Sequence, residues 1–68
     1  MWYVYVLYDP TTDRFYVGMT GNLQRRLSEH KVGTVHTTAR MKEQRLLYCE
    51  ICTDKRDAAN RERQLKTG

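Results

Sequence analysis

The stretch WYVYVLYDPTTDRFYVG, residues 2–18, decides the fold of this chain. Residues 2–8 carry β-branched, aromatic and aliphatic side chains without a break, which predicts a β-strand buried on both faces. Pro10 then presets a turn over residues 9–13, and the flanking Asp and Thr side chains can bond to their own backbone. Residues 14–18 return to β-type side chains, so we expect a hairpin of strands 2–8 and 14–18.

A helical pattern follows the hairpin. Either Thr20 or Asn22 can cap a helix that runs to about Lys31, because both side chains accept hydrogen bonds from first-turn backbone. The apolar residues of this helix, Leu23 and Leu27, are spaced i, i+4 and therefore share one face. We expect that face to be its buried side.

The rest of the chain predicts one more strand and one more helix. Residues 33–44 have little periodicity and predict a loop with a short helical turn. Residues 46–52 are rich in β-type side chains and predict a strand. Thr53 and Asp54 then offer a cap for a helix over residues 55–66.

The order β-β-α-β-α predicts one domain over residues 1–68. We expect the α/β (α+β) class, with a small three-stranded, mainly antiparallel sheet flanked by helices. No apolar run approaches the roughly 20 residues that span a bilayer, so we expect no membrane partner. The net charge of +4 and the pI near 9.3 weakly favour a polyanionic partner.

Two cysteines, Cys49 and Cys52, cannot form a disulfide framework, which favours a reducing cytoplasm. Their C-x-x-C spacing falls in the predicted strand, where positions i and i+3 point to opposite faces. A metal site there is not expected, because four-ligand sites are the rule and there is no second pair. We expect core cysteines, with Glu50 facing outward between them.

Glu62 interrupts the apolar face of the second helix. Ala58, Glu62 and Leu65 fall at i, i+4 and i+7, so this carboxylate lies on or beside a buried stripe. It needs a partner, because an unpaired buried charge is very costly. It is either a boundary residue paired with Arg61 or Arg63, or part of a functional site.

Arg26 and His30 are spaced i, i+4 on the first helix and border its leucine stripe. Two such groups can hold a phosphate, and a neutral histidine can exchange a proton near neutral pH. The alternative is an ordinary solvated basic surface in which Arg25 and Glu29 form an i, i+4 ion pair.

The tyrosines of the hairpin also allow two interpretations. Tyr5 and Tyr16 lie on strands that we expect to pair, so their hydroxyls could converge on one face. A tyrosine can act as a base only if neighbouring cations or a metal-bound water lower its pKa. The alternative is cross-strand packing, for which Tyr3, Tyr8 and Tyr48 are better candidates.

Four segments, in this order, resemble the signature of the GIY-YIG nuclease superfamily. They are YVY at residues 3–5, YVG at 16–18, MTGNLQRRLSEH at 19–30 and AANRE at 58–62. The resemblance covers almost the whole chain. It is closest to the short, stand-alone bacterial members and extends to the N-terminal nuclease domain of the excision-repair protein UvrC.

The resemblance implies an endonuclease that hydrolyses DNA phosphodiester bonds with one divalent ion, Mg²⁺ or Mn²⁺. It assigns catalytic roles to Tyr5, Tyr16, Arg26, His30 and Glu62. Arg26 would contact the scissile phosphate and Glu62 would bind the metal. Tyr5, with His30, would take the proton from the attacking water, and Tyr16 would orient that water or the phosphate.

Further expectations concern the surroundings of these residues. Gly18 matches the family glycine, where a side chain would crowd the site. Tyr3 stands where the first motif usually has glycine, Met19 stands where many members have lysine, and the end at Gly68 predicts that a C-terminal segment of many relatives is missing. Three basic residues are expected to contact nucleic acid: Arg25, Lys31 and Arg61.

We therefore expect a cytoplasmic, metal-dependent endonuclease acting on DNA, including branched or damaged DNA, with a role in DNA repair. The first alternative is a module on the same scaffold that binds nucleic acid without cutting it. The second is a small interaction domain with no nucleic-acid role, which salt-sensitive DNA binding would exclude.

Overall fold

A computed structural model of the protein describes residues 1–32 and 43–67. Its elements follow the order β-β-α-β-α and form an α+β fold, which confirms the predicted class. They are β1 (Trp2–Asp9), β2 (Arg14–Thr20), α1 (Leu23–Lys31), β3 (Arg45–Cys52) and α2 (Lys55–Thr67). Most of the loop expected over 33–44, and its helical turn near 38–42, lies outside the described residues.

The three strands form one antiparallel sheet in the order β2-β1-β3, so the first strand lies in the centre. This position explains why the apolar run of β1 is buried on both faces: the neighbours Val4 and Tyr5 are both fully buried. The predicted hairpin is confirmed. The expectation that β2 ends at Gly18 is wrong, because Met19 and Thr20 continue the pairing with β1.

The hairpin turn is built around a fully buried carboxylate. Asp9 accepts hydrogen bonds from the backbone N–H and hydroxyl of Thr11 and from the hydroxyl of Thr12, at 2.6 to 3.0 Å. Asp13 has a φ of 56°, a left-handed conformation that Asp tolerates better than most residues. These contacts set the β1–β2 register that places the tyrosines.

Helix α1 packs on the face of the sheet that carries Tyr5. Tyr5 and Leu7 are the buried centre of a cluster into which Tyr16, Leu23 and Leu27 pack. The two leucines are therefore the buried side of α1, as their spacing predicts.

Asn22 caps the first helix, which resolves the choice between the two candidate caps. Its side-chain oxygen accepts a hydrogen bond from the backbone N–H of Arg25 at 3.1 Å. Thr20 supports the same turn, because its hydroxyl accepts from the backbone N–H of Asn22 at 3.1 Å.

Helix α2 packs on the opposite face. Glu50 lies across from Val4 in the sheet, and it binds Arg61 of α2. Paired residues share a face and sequence neighbours alternate, so the face of Val4 is not the face of Tyr5. The fully buried Ala58 of α2 is consistent with this packing. The sheet therefore separates the two helices.

Strand β3 lies at an edge of the sheet and is the most exposed element of the core fold. Cys49 is exposed and Cys52 is half-buried, so the expectation of core cysteines is wrong for Cys49. The reason is coverage: the cluster that α1 packs on contains residues of β1 and β2 and none of β3. Glu50 is half-buried by its contact with Arg61 and does not simply face outward.

Within the described parts of the chain, neither helix is long and apolar enough to cross a membrane.

Candidate active site

The centre of the candidate site is a hydrogen bond between a phenol and an imidazole. The Tyr5 hydroxyl lies 2.8 Å from Nε2 of His30, and both side chains are fully buried. Tyr5 comes from the central strand and His30 from the last turn of α1. The leucine stripe of α1 fixes the helix on the sheet, which brings these distant residues together.

Tyr16 completes an aromatic group on the same face. Its ring centroid lies 6.2 Å from that of Tyr5 and 4.8 Å from that of His30, the latter in an edge-on arrangement. Gly18 pairs with Tyr5 in the neighbouring strand and leaves room for the phenol. A Cβ on Gly18 would lie 2.6 Å from the Tyr5 oxygen and 2.9 Å from a Tyr16 ring carbon.

Arg26 lies one helical turn before His30 and borders the aromatic group. Hydrogen bonds to Tyr5, to Glu29 and to Tyr16 raise its pKa, which keeps the guanidinium charged. Nη1 of Arg26 lies 3.2 Å from Oε1 of Glu29. The side chain is 36% exposed, so this is the cation of the group that solvent can reach.

Burial sets the protonation states of the buried pair. It raises the pKa of Tyr5 to about 12, an effect that the hydrogen bond from Arg26 only partly offsets. Burial, followed by the charge of Arg26, lowers the pKa of His30. Near neutral pH the pair is therefore a neutral phenol and a neutral imidazole. This is opposite to the lowered tyrosine pKa that a phenolate base would require.

Glu62 lies on α2, the helix whose Arg61 binds Glu50 of β3. Its side chain is 23% exposed, and its carboxylate lies 3.6 Å from Nζ of Lys66. Its ion-pair partner is thus a lysine one turn away and not the neighbouring Arg61 or Arg63. Over residues 1–32 and 43–67, no hydrogen bond or ion pair joins Glu62 to the aromatic group.

The chemistry of Glu62 limits the metal that it could hold. In the described part of the chain, no group of three or more His, Cys, Asp or Glu side chains converges. A lone carboxylate does not suit Zn²⁺, which takes three or four protein ligands. It does suit Mg²⁺, which keeps several waters and is often bound through one or two carboxylates.

The three expected nucleic-acid contacts differ in their surroundings. Arg25 is 75% exposed, with Glu29 only at 4.0 Å, and Lys31 is exposed on the same helix. Arg61 is different, because its Nε contacts both carboxylate oxygens of Glu50 at 3.0 and 3.1 Å. Its charge is therefore already matched within the protein.

Two of the ion pairs around these residues were not predicted from the sequence. The Arg26–Glu29 pair could have been predicted from its i, i+3 spacing of opposite charges. The sequence instead suggested Arg25 as the partner of Glu29. The Glu50–Arg61 pair has no local signal, because it joins a strand to a helix across the packing interface.

The comparisons with known proteins identify the family. A family model described as the GIY-YIG catalytic domain matches residues 1–67, essentially the whole chain. The searches of curated proteins and of solved structures found no match.

Proposed function

We propose that this chain, which belongs to the GIY-YIG family of nucleases, is an endonuclease that hydrolyses DNA phosphodiester bonds with one divalent metal ion. The observation that carries the proposal is the buried Tyr5–His30 hydrogen bond with the charged Arg26 beside it. Phosphodiester hydrolysis needs an acceptor for the proton of water and a cation for the phosphate. This group offers both.

The buried pair supports a proton relay. In the tautomer with its proton on Nδ1, His30 accepts the Tyr5 hydroxyl proton at Nε2. As Tyr5 takes a proton from the attacking water, it can pass its own to His30, which becomes imidazolium. The phenol then never has to exist as a phenolate, so its raised pKa is no obstacle. Substrate binding has to open a path to the phenol, because it is fully buried.

Arg26 and Tyr16 would place the phosphate. A guanidinium donates hydrogen bonds in a planar fork that matches two phosphate oxygens. Arg26 is charged and partly exposed, and its interactions with both phenols raise its pKa, so a phosphate bound to it would lie beside Tyr5. Tyr16 would orient that phosphate or the water.

Glu62 is the residue that would hold Mg²⁺ or Mn²⁺, after exchange of its Lys66 contact. When bound, the ion would supply charge neutralisation at the phosphate and at the departing oxygen.

A second candidate is a nucleic-acid-binding module that does not cut. Two observations favour it: Tyr5 has no exposed surface, and Glu62 makes no contact with the aromatic group among the residues described.

A plasmid-nicking assay with and without Mg²⁺ or Mn²⁺ separates the two candidates. We expect metal-dependent nicking that falls by at least about a hundredfold in Tyr5→Phe, which keeps the ring but removes the relay. Glu62→Ala should abolish cleavage, whereas Glu43→Ala, at an exposed carboxylate paired with Arg45, should cleave normally. Binding without nicking by the wild-type protein would favour the second candidate.

The pH dependence tests the relay. His30 accepts a proton only when neutral, so cleavage should decline as pH falls through its pKa. Because burial lowers that pKa, the decline should lie below the range of an ordinary histidine, near 6.5. A pH–rate profile of kcat measures this. A midpoint at or above the ordinary value would contradict the relay.

A further inference from the structure

The Arg26 guanidinium is anchored by a carboxylate that the relay does not use. Nη1 of Arg26 lies 3.2 Å from Oε1 of Glu29, while Nε of Arg25 lies 4.0 Å from the other oxygen. Arg26 and Glu29 are both more than a third exposed, so their ion pair contributes little to stability. What the ion pair determines is therefore the position of the Arg26 guanidinium.

We propose that Glu29 is a positioning residue of the nuclease site, whose carboxylate holds the Arg26 guanidinium beside the Tyr5 and Tyr16 phenols. The inference rests on the proposed function, because Arg26 matters there only if it binds the scissile phosphate. Arg26 is a long side chain on a partly exposed helix face. Without the Glu29 carboxylate its guanidinium would sample more rotamers, and fewer of them would place a phosphate beside Tyr5.

Glu29 should also act against substrate binding. A carboxylate 3.2 Å from a phosphate-binding guanidinium repels the phosphate that the guanidinium attracts. Removal of the carboxylate should therefore lower kcat without weakening substrate binding. Turnover should fall, because Arg26 loses its place, and KM should not rise, because a negative charge is lost.

The kinetic test compares Glu29→Ala with Glu29→Gln and with Glu43→Ala. Glu43 pairs with Arg45 at 3.0 Å on the surface, so Glu43→Ala makes the same change of charge away from the site. We expect Glu29→Ala to lower kcat by about tenfold to a hundredfold without raising KM. Glu29→Gln should recover part of kcat, because its amide oxygen still accepts from Arg26. Glu43→Ala should match the wild-type protein.

A second readout does not depend on cleavage. The side-chain ¹H–¹⁵N signal of Arg26 Nε, assigned by its loss in Arg26→Lys, should be displaced by the nearby aromatic rings in the wild-type protein. It should move to the position of a free arginine in Glu29→Ala and remain displaced in Glu43→Ala. A helix that merely lost some stability would not release this one signal.

The outcomes separate the two proposals. If Glu29→Ala keeps the wild-type kcat, or its Arg26 signal stays displaced, Glu29 is not a positioning residue. The same holds if Glu29→Gln is as slow as Glu29→Ala. If the wild-type protein nicks no DNA while Glu29→Ala still releases the signal, the anchoring of Arg26 stands and the nuclease function fails.

Discussion

At the scale of single residues, the site depends on the missing side chain of Gly18 as much as on its polar groups. Tyr5 is the only phenol among the described residues that is fully buried, and it fits because its cross-strand neighbour is Gly18. The glycine needs no unusual backbone conformation here. It is required because the phenol occupies the volume that any side chain would take.

Gly18→Ala should therefore disturb the site and the fold together. The added Cβ would lie 2.6 Å from the Tyr5 oxygen and 2.7 Å from Cζ, closer than real Cβ contacts allow. The phenol has to move away from His30, at a cost of about 1–3 kcal/mol for overpacking. Urea unfolding measures this loss. The control is Gly21→Ala, whose Cβ would meet the Trp2 ring at an ordinary 3.7 Å and should cost less than about 0.5 kcal/mol. Equal losses in both variants would contradict this account.

The protonation state of the Tyr5–His30 pair is also a residue-scale property that the sequence does not predict. The i, i+4 spacing of Arg26 and His30 placed them on one helix face, and strand pairing predicted the approach of Tyr5 and Tyr16. The pKa directions follow from burial, which depends on how completely α1 covers the sheet. From the sequence, a basic role for Tyr5 was conditional on a lowered pKa, and burial instead raises that pKa to about 12.

At the scale of elements, local chemistry predicts most of the fold. Uninterrupted β-type residues predicted β1, and a proline-containing turn predicted the hairpin. The errors lie where tertiary contacts decide. Strand β2 runs past Gly18 because β1 offers partners for Met19 and Thr20, and Cys49 is exposed because the cluster under α1 includes no residue of β3. The length of β2 and the exposure of Cys49 depend on contacts between two elements, so the sequence of one segment does not predict them.

The start of α1 offers a test at this scale. Asn22→Ala removes the acceptor for the backbone N–H of Arg25, which should cost about 1 kcal/mol of unfolding free energy. The control is Gln24→Ala, at an exposed position in the same first turn, which should be nearly neutral. Chemical unfolding of both variants measures the difference. If Asn22→Ala is no less stable than Gln24→Ala, the cap contributes nothing measurable to the unfolding free energy.

At the scale of the whole molecule, the sheet separates two helices whose basic side chains differ in how they are paired. Helix α1 carries the exposed Arg25 and Lys31, and among the described residues their one ion pair is the 4.0 Å contact of Arg25 with Glu29. Helix α2 carries Arg61, which Glu50 binds through both oxygens. The net charge of +4 is therefore a poor guide to where DNA would bind, and the α1 face is the better one.

The salt dependence of DNA binding tests this division. Each phosphate contact releases counterions, so its loss reduces the slope of log K against log salt by about 0.9 on duplex DNA. Arg25→Ala should show that reduction, because the side chain is 75% exposed and only weakly paired. Arg61→Ala removes the same charge but should leave the slope unchanged, because Glu50 already neutralises that guanidinium. Fluorescence anisotropy over a range of salt concentrations measures both slopes. The reverse order would place DNA at Arg61 and not on the exposed side of α1, and would contradict this division.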